Sequence, residues 1–399
     1  MKLSSLVSKI NPSYTLEMTA KAAQLRNQGV DVIDFGVGEP DFNTPSHIIE
    51  AAYNAMKNGY TKYTAGSGSI DLKQSIQSFL LRSRNVESIE LDNIIVSSGA
   101  KQSLSVACQA LFDKEDEVII FSPYWVSFPE FVKIAGAKPV IVTTALENNF
   151  EPLLKDVEKA ISRKTKGIII NSPGNPTGAV WSSVAFRGLL EIAKKNNITV
   201  ISDETYDQLV FDGDFVPAEV INKNIGANIL TVKSLSKTYA MTGWRVGFAF
   251  GEKTTIKAMA KIQAQTTSCP NSISQRAAMA ALDSDQAFVY EMKKEFLKRR
   301  NTMNKALSTI DHIKICIPGG AFYYFVDLSY YYNKIDKNGK IIEDSFDLSN
   351  YILDEARVVT VAGDAFGAKN YLRLSFATNE DIINEGISRI KKSLSELKQ

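Results

Sequence analysis

Residues 228–251 have the sequence NILTVKSLSKTYAMTGWRVGFAFG, in which two short apolar runs enclose a polar segment. Apolar runs of this length are typical of buried strands. The polar segment contains two serines, Ser234 and Ser236, followed by Lys237 and, further on, Arg245. A lysine amine can form an imine with an aldehyde cofactor, and serine hydroxyls with an arginine fork can hold a phosphate group. The alternative is a solvated lysine in a surface loop, where most lysines lie.

The composition predicts a large protein of balanced charge. Its 399 residues are 44% hydrophobic, which is enough for a large core and more than one domain. The 46 lysines and arginines nearly balance the 44 aspartates and glutamates, so the charge does not favour a nucleic acid partner. The two histidines, His47 and His312, leave little room for a histidine-based metal site, and we predict no metal.

The sequence also lacks the features of an exported or membrane protein. The three cysteines, Cys108, Cys269 and Cys316, are scattered and odd in number, as expected in a reducing compartment without a disulfide framework. The N-terminal segment lacks the apolar run of a signal peptide, and no stretch is apolar for long enough to span a bilayer. We therefore expect a cytoplasmic protein with no membrane partner.

Short apolar runs alternate with helical patterns from about residue 92 to residue 251. The runs that predict strands are 94–96, 117–121, 139–142, 167–170, 198–201 and 229–232. They are rich in β-branched residues throughout, as strands covered on both faces should be. This pattern predicts an α/β domain with a largely parallel sheet, and ligands of such domains bind beyond the carboxyl ends of the strands.

The pattern changes after about residue 285. A long charged helix is predicted at 288–307, strands at 322–326 and 371–376, a polar insertion at 332–344 and a helix at 348–355. Runs of this mixed kind, without regular alternation, predict a smaller α+β domain.

Several motifs together resemble the class I pyridoxal-phosphate-dependent aminotransferases, most closely the bacterial aspartate aminotransferases. In chain order they are SPGNPTG at 172–178, DETY at 203–206, SLSK at 234–237 and GWR at 243–245. The resemblance extends from Pro12 to Arg373 and implies an α/β fold of the aspartate aminotransferase type. It implies a large domain over residues 46–284 that binds pyridoxal 5′-phosphate. It also implies a smaller domain that combines residues 1–45 with residues 285–399.

The resemblance implies a role for each residue of a cofactor site. Lys237 carries the cofactor as an imine, Asp203 pairs with the pyridine nitrogen, and Asn175 and Tyr206 hydrogen-bond the phenolic oxygen. Trp125 stacks on the ring. The implied phosphate site comprises Gly99, Ala100, Lys101, Ser234, Ser236 and Arg245. Tyr63 matches a tyrosine that reaches the phosphate of a neighbouring subunit, which implies a homodimer with shared active sites.

Each of these residues also has a simpler explanation. The small residues at 97–103 suit a tight turn as well as a helix N-terminus that binds phosphate, and SPGNPTG could be only a rigid turn. Asp203 could cap a helix, Trp125 could be a core residue, and Tyr63 could pack in an interface. Pro123 and Pro176 are candidates for cis peptide bonds.

Arg373 is a candidate for binding the substrate. It lies within an apolar strand, where a buried charge is costly unless an anion pairs with it. A bidentate clamp on the α-carboxylate of an amino acid meets that need. Gly38 would allow close approach of the substrate to the backbone, with Trp125 and Asn175 beside it. Ser13 and Lys101 stand where the resembled enzymes bind the side-chain carboxylate of aspartate or glutamate, although Lys101 could equally be an exposed helix residue.

The resemblance implies transamination between an L-amino acid, with L-aspartate favoured, and 2-oxoglutarate. The amine of Lys237 would move the proton between the substrate and the cofactor. Aromatic, prephenate or broad-specificity aminotransferases remain alternatives, and Asn11, where prephenate users favour a basic residue, counts weakly against prephenate. Two further departures are Arg357 and Ala362, where relatives often have glycine and proline.

Other classes of function remain open. Lyases and synthases on the same fold use the same lysine but divert the carbanion, and product analysis would separate them. A non-enzymatic regulator with this domain would carry a DNA-binding segment, and we expect none before Ser13.

Overall fold

The alternating apolar runs form strands where the sequence predicts them. The structure is a computed structural model that describes residues 3–87, 89–213 and 215–399, but not the side chain of Leu16. The strands are β1 (Ile33–Asp34), β2 (Ile94–Ser97), β3 (Glu117–Ser122), β4 (Lys138–Thr143), β5 (Thr165–Asn171), β6 (Thr199–Asp203), β7 (Ile229–Ser234), β8 (Gly247–Gly251), β9 (Lys314–Ile315), β10 (Tyr323–Asp327), β11 (Val358–Val359), β12 (Val361–Ala362) and β13 (Tyr371–Ser375).

Helices fill the intervals between the strands and follow the last one. They are α1 (Tyr14–Asn27), α2 (Ser46–Lys57), α3 (Ile70–Arg84), α4 (Ala100–Leu111), α5 (Phe128–Ile134), α6 (Leu154–Ala160), α7 (Ser183–Lys195), α8 (Ala218–Asn222), α9 (Leu235–Thr238), α10 (Lys253–Thr266), α11 (Ser272–Asp283), α12 (Ala287–Leu307), α13 (Ser345–Ala356) and α14 (Glu380–Ser395). Short 3₁₀ helices lie at Val7–Lys9, Leu91–Asn93, Leu146–Asn148, Ser329–Tyr331 and Gly363–Phe366. None of the helices in the described part of the chain has the length and apolarity that a bilayer span requires.

The largest sheet has seven strands in the order β2-β8-β7-β6-β5-β3-β4. Strand β8 is antiparallel to both of its neighbours, and the remaining pairs are parallel. Parallel neighbours need long crossover connections, and the helices between the strands supply them. The predicted α/β fold with a mostly parallel sheet is confirmed.

Strand β3 shows why these runs are apolar throughout. Val118 and Ile120 pack in one hydrophobic cluster with α4 and α5, whereas Ile119 and Phe121 pack in another with α7. Successive side chains of a strand point to opposite faces, so a strand covered on both faces needs apolar residues at every position.

A second sheet lies in the C-terminal part, as the change of pattern predicts. It is antiparallel, in the order β12-β13-β10-β9. Strand β1 pairs in parallel with β11, and Phe35 lies in the same core as Tyr323 and Leu348. The N-terminal segment therefore packs with the C-terminal part, while the proposed domain bounds at residues 46 and 284 stay a prediction.

Local backbone details agree with the sequence. The peptide bonds before Pro123 and Pro176 are cis, as predicted, and so is the bond before Pro173, which was not predicted. Arg357 ends α13 with a φ of 56°, a left-handed conformation that glycine adopts at lower cost. Ala362 is buried in β12 opposite Leu372.

Candidate active site

A cavity of about 430 Å³ opens where the carboxyl ends of several strands meet, next to the antiparallel sheet. Strands β2, β5, β6 and β7 all end beside it, the position at which open α/β sheets bind ligands. The predicted site residues that line it are Ser13, Gly38, Ala100, Lys101, Trp125, Asn175, Asp203, Tyr206, Ser234, Ser236, Lys237, Arg245 and Arg373. The structure thus brings most of the predicted residues to one place.

Lys237 lies on α9, one turn after the end of β7. Desolvation by the surrounding protein lowers the pKa of its amine from 10.5 to about 8. Glu39 opposes this shift, while the charges of Arg245, Arg373 and Lys101 add to it. The Nζ atom donates a hydrogen bond to the carbonyl of Gly38. Part of the Lys237 population is therefore unprotonated near neutral pH, as a nucleophile or a base requires.

Asp203 is the last residue of β6 and is 4% exposed. Burial raises the pKa of its carboxyl to about 6, although hydrogen bonds from Thr205 oppose the shift. Its Oδ1 atom accepts from the Thr205 amide at 3.1 Å and from the Thr205 hydroxyl at 2.6 Å. Asp203 therefore holds a local turn and also faces the cavity. A buried carboxylate of this kind is stabilised by a cationic partner.

Arg373 projects from β13 and is 2% exposed. Its Nη1 donates to Asn175 Oδ1 at 3.0 Å and its Nη2 to the carbonyl of Gly36 at 2.7 Å. Its Nε is buried without a hydrogen-bond partner among the described residues. The guanidinium also lies 4.4 Å from the centre of the Tyr323 ring, and these contacts fix it in place. From this position it can bind an anion in the cavity by donating hydrogen bonds to it.

Tyr206 and Tyr323 form a buried pair beside Arg373. Their hydroxyl oxygens are 2.9 Å apart, and their rings are in edge contact. Burial raises the pKa of both hydroxyls, so both remain protonated and can donate hydrogen bonds at neutral pH. Tyr206 was predicted as a site residue, whereas Tyr323 was assigned only to a strand.

The start of α4 forms another part of the cavity wall. Gly99 precedes the helix with a φ of 86°, and a Cβ there would lie 2.5 Å from Arg245 Nη2. Gly99 is therefore a neighbour of Arg245, but unlike most of the predicted site residues it does not line the cavity itself. The first amides of a helix lack partners within the helix, and Ala100, Lys101, Ser234 and Arg245 all face the same space. This arrangement suits an anion.

Trp125 and Lys101 form one side of the cavity. The Trp125 ring makes edge contacts with Phe128 and Phe131, and Lys101 Nζ lies 5.0 Å from its centre. Burial and the charge of Arg245 lower the pKa of Lys101. Trp125 is thus both a packing residue and a cavity wall, so its two interpretations do not exclude each other.

Ser13 reaches the cavity from the start of α1, where its hydroxyl lies 3.0 Å from that of Thr15. Asn11, two residues earlier, is held by Glu130. The backbone amide of Asn11 donates to Glu130 Oε2 at 3.1 Å. Tyr63, like Gly99, is an exception among the predicted residues. It is 88% exposed and does not line the cavity of its own chain.

Polar residues outside the predicted set also face the cavity, among them Thr15, Glu39, Thr242 and Tyr323. Glu39 accepts a hydrogen bond from the Thr242 hydroxyl. Tyr323 could have been suspected from the sequence, because a tyrosine hydroxyl in a buried apolar strand needs a polar partner. Within residues 3–87, 89–213 and 215–399 no cluster of acidic, histidine or cysteine side chains is suited to a metal ion.

Comparison with known proteins agrees with this geometry. The chain matches the family described as aminotransferase class I and II over residues 30–390. An aspartate/prephenate aminotransferase from Nitrosomonas europaea is 43% identical, and the match covers 99% of this chain and 100% of that protein. An aspartate aminotransferase from Rhizobium meliloti is 40% identical over 98% of this chain and 96% of that protein.

Solved structures give the same result. The crystal structure of the aspartate aminotransferase from Rhizobium meliloti superposes with a TM-score of 0.95 at 39% identity, and all of both chains is covered. The aspartate aminotransferase from Thermus thermophilus with maleate gives 0.92 at 36% identity, covering 98% of this chain and 100% of the other. The sequence match, the sheet order and the residues of the cavity lead to one conclusion: the chain belongs to the class I and II aminotransferases.

Proposed function

We propose that the protein is a pyridoxal-phosphate-dependent aminotransferase that transfers the amino group of L-aspartate to 2-oxoglutarate. One observation carries the proposal. A single cavity contains a lysine amine with a pKa of about 8, a buried carboxyl and two arginines, Arg245 and Arg373. Its volume of about 430 Å³ lies in the range of small-molecule sites.

The cavity residues fit pyridoxal phosphate. The phosphate would be held by Arg245, the first turn of α4 and the hydroxyls of Ser234 and Ser236. Asp203 would face the pyridine nitrogen, whose proton supplies the cation that a buried carboxylate needs. Asn175 and Tyr206 would donate to the phenolic oxygen, and Trp125 would lie against the ring. When bound, the cofactor supplies the electron sink that makes the Cα proton of an amino acid acidic.

The chain's own residues would hold the substrate and move the proton. Arg373, fixed by Asn175 and by the carbonyl of Gly36, would bind the α-carboxylate, with Gly38 allowing close approach. Lys237 would hold the aldehyde group of the cofactor and then, once displaced by the substrate, act as the base. A pKa of about 8 suits this role, because a base works best when its pKa is near the working pH.

The preference for aspartate rests on Lys101 and Ser13, which line the same cavity as Arg373. A dicarboxylic substrate needs a second cationic contact, and Lys101 is placed to supply it. The relatives support this assignment, since they are named aspartate or aspartate/prephenate aminotransferases. Prephenate is a second candidate, favoured by the name of the Nitrosomonas europaea relative, although neutral Asn11 occupies the position where a basic residue favours it.

We also propose a homodimer in which Tyr63 completes the partner's site. Tyr63 is 88% exposed, and groups of exposed large hydrophobic side chains can mark a protein–protein interface. Exposed apolar side chains of α2 and α3 and the loop between them accompany it: Ile49, Tyr53, Met56, Tyr60 and Ile70. A second copy of the chain is the occupant that a symmetric dimer would supply. The predicted cytoplasmic location stays a prediction.

A screen of amino donors tests the proposed function. The protein is loaded with pyridoxal phosphate and mixed with one amino acid at a time, and the visible spectrum reports the half-reaction. We expect aspartate and glutamate to convert the spectrum and 2-oxoglutarate to restore it. If alanine or aromatic donors convert the spectrum as efficiently as aspartate does, the enzyme has a broad specificity and no preference for aspartate. Transamination should give a 2-oxo acid and leave the amino group on the cofactor. Release of that amino group as free ammonia would instead indicate a lyase.

A further inference from the structure

A cluster of buried and partly buried charged side chains adjoins the residues of the cavity without lining it. Lys233, on β7, is 3% exposed, and its Nζ donates to Glu204 Oε2 at 2.7 Å and to Asp207 Oδ2 at 2.6 Å. Arg84, at the end of α3, lies 2.7 Å from the same Asp207 oxygen. Successive side chains of a strand alternate between faces, so Lys233 points away from the face on which Ser234 reaches the cavity.

The cluster is electrically balanced. Two cations, Lys233 and Arg84, face two carboxylates, Glu204 and Asp207, and the pKa of Asp207 is lowered by the two cations in spite of its burial. Burial and the charge of Glu204 raise the pKa of the neighbouring Glu219 to about 8, which favours the protonated form of this carboxyl. Glu204 is further fixed by the amide of Ala218 at 2.9 Å.

The carboxylates of the cluster belong to the same short segment as two residues of the cavity. Glu204 follows Asp203 directly, and Asp207 follows Tyr206. The Glu204 amide continues the pairing with β7 by donating to the Val232 carbonyl at 2.9 Å. Lys233 therefore contacts the segment at both ends, while its own neighbour Ser234 begins the turn that carries Lys237.

Stability alone gives little reason for such a cluster, because apolar side chains of similar volume usually stabilise a core as well as a buried ion pair does. Charged pairs with fixed geometry can instead define the orientation of the groups attached to them. Lys233 does not line the cavity, so it does not contact a ligand there.

We propose that Lys233 is a positioning residue of the active site: by holding Glu204 and Asp207, it fixes Asp203 and Tyr206 relative to Lys237. This inference rests on the proposed function, since it assumes that these residues hold pyridoxal phosphate. It adds a role for a residue that never contacts the cofactor or the substrate.

The test uses the charge-balanced double variant Lys233→Met/Glu204→Gln, which keeps the Arg84–Asp207 pair. The measurements are the dissociation constant for pyridoxal phosphate and the visible circular dichroism of the bound cofactor, which reports its orientation. In metal sites, mutation of a residue that orients a ligating group typically lowers the metal affinity by about 10- to 100-fold. We expect the double variant to lose affinity for pyridoxal phosphate at the low end of this range. The circular dichroism per bound cofactor should fall as well. The single variant Glu204→Gln, which keeps the Lys233–Asp207 pair, should show a smaller change in the same direction and serves if the double variant does not fold.

Leu230→Ala is the matched control, because Leu230 lies on the same strand, is 1% exposed and carries no charge. It should lower the melting temperature while leaving the affinity and the circular dichroism near those of the wild type. The inference is overturned if the charged variants bind the cofactor normally with an unchanged spectrum, or if Leu230→Ala alters both to the same degree. A wild-type protein that fails to bind pyridoxal phosphate would instead refute the proposed function.

Discussion

The reactivity of the Lys237 amine depends on the protein around it. Its pKa of about 8 lies well below the value of 10.5 for a free lysine, mainly because the cavity desolvates it. A lowered pKa means that the reactive, unprotonated form appears at lower pH. In the cofactor-free protein the rate of reaction with pyridoxal phosphate should therefore rise through an inflection near pH 8.

The variant Glu39→Gln provides the control for this pH dependence. The carboxylate of Glu39 stabilises the protonated amine, so its removal should move the inflection to lower pH. Stopped-flow measurement of the rate between pH 6 and pH 11 would check both statements. An inflection close to that of a free lysine would contradict the role of desolvation.

We propose that Lys101 determines the choice of substrate. The Lys101→Ala variant should lose efficiency with aspartate and change little with alanine, because only aspartate has a second carboxylate. A hydrogen bond to a charged group contributes about 1.5–3 kcal/mol, which corresponds to a loss of roughly tenfold to a hundredfold in kcat/KM. Cofactor content should hold. Equal losses with both donors would show that Lys101 does not select the substrate.

At the level of elements, the turn between β2 and α4 determines whether the phosphate end of the cavity can form. Gly99→Ala would place a Cβ 2.5 Å from Arg245 Nη2 and must displace that guanidinium. We expect the affinity for pyridoxal phosphate to fall by about tenfold, as for the loss of one charge-assisted hydrogen bond. Equilibrium titration of the cofactor-free protein measures it.

Gly59→Ala is the control for this substitution. Gly59 also has a positive φ, of 78°, but a Cβ there would meet nothing within 4 Å. Both substitutions place a side chain on a backbone with a positive φ, and only Gly99→Ala crowds the arginine. Similar losses of cofactor affinity in the two variants would attribute the effect to the backbone.

The elements themselves could be predicted from the sequence because their physical signals are local. Strand β3 is apolar at every position from Val118 to Phe121 and lies where the sequence predicts it. Helix α7 has the period of a helix with one buried face, which is also a local signal. The roles of Lys237 and Asp203 followed from motifs. Lys233 and Tyr323 were not predicted, because their partners, Glu204 and Tyr206, lie in segments that only the tertiary fold brings together.

The whole molecule is expected to be a homodimer with shared active sites. Mixing inactive Lys237→Ala subunits with Tyr63→Ala subunits, under conditions of exchange, should restore activity. About a quarter of the wild-type activity is expected, because half of the dimers are mixed and each has one complete site. Full activity of Tyr63→Ala by itself, or no gain on mixing when both variants are inactive, would contradict a site shared between subunits.

The central claim is that Lys237 carries the cofactor, and one measurement tests it directly. The protein loaded with pyridoxal phosphate is reduced with borohydride, digested and mapped by mass spectrometry. We expect the label on the peptide that contains Lys237, and no label at that site in the Lys237→Ala variant. A label on Lys101 or Lys233 in place of Lys237 would contradict it.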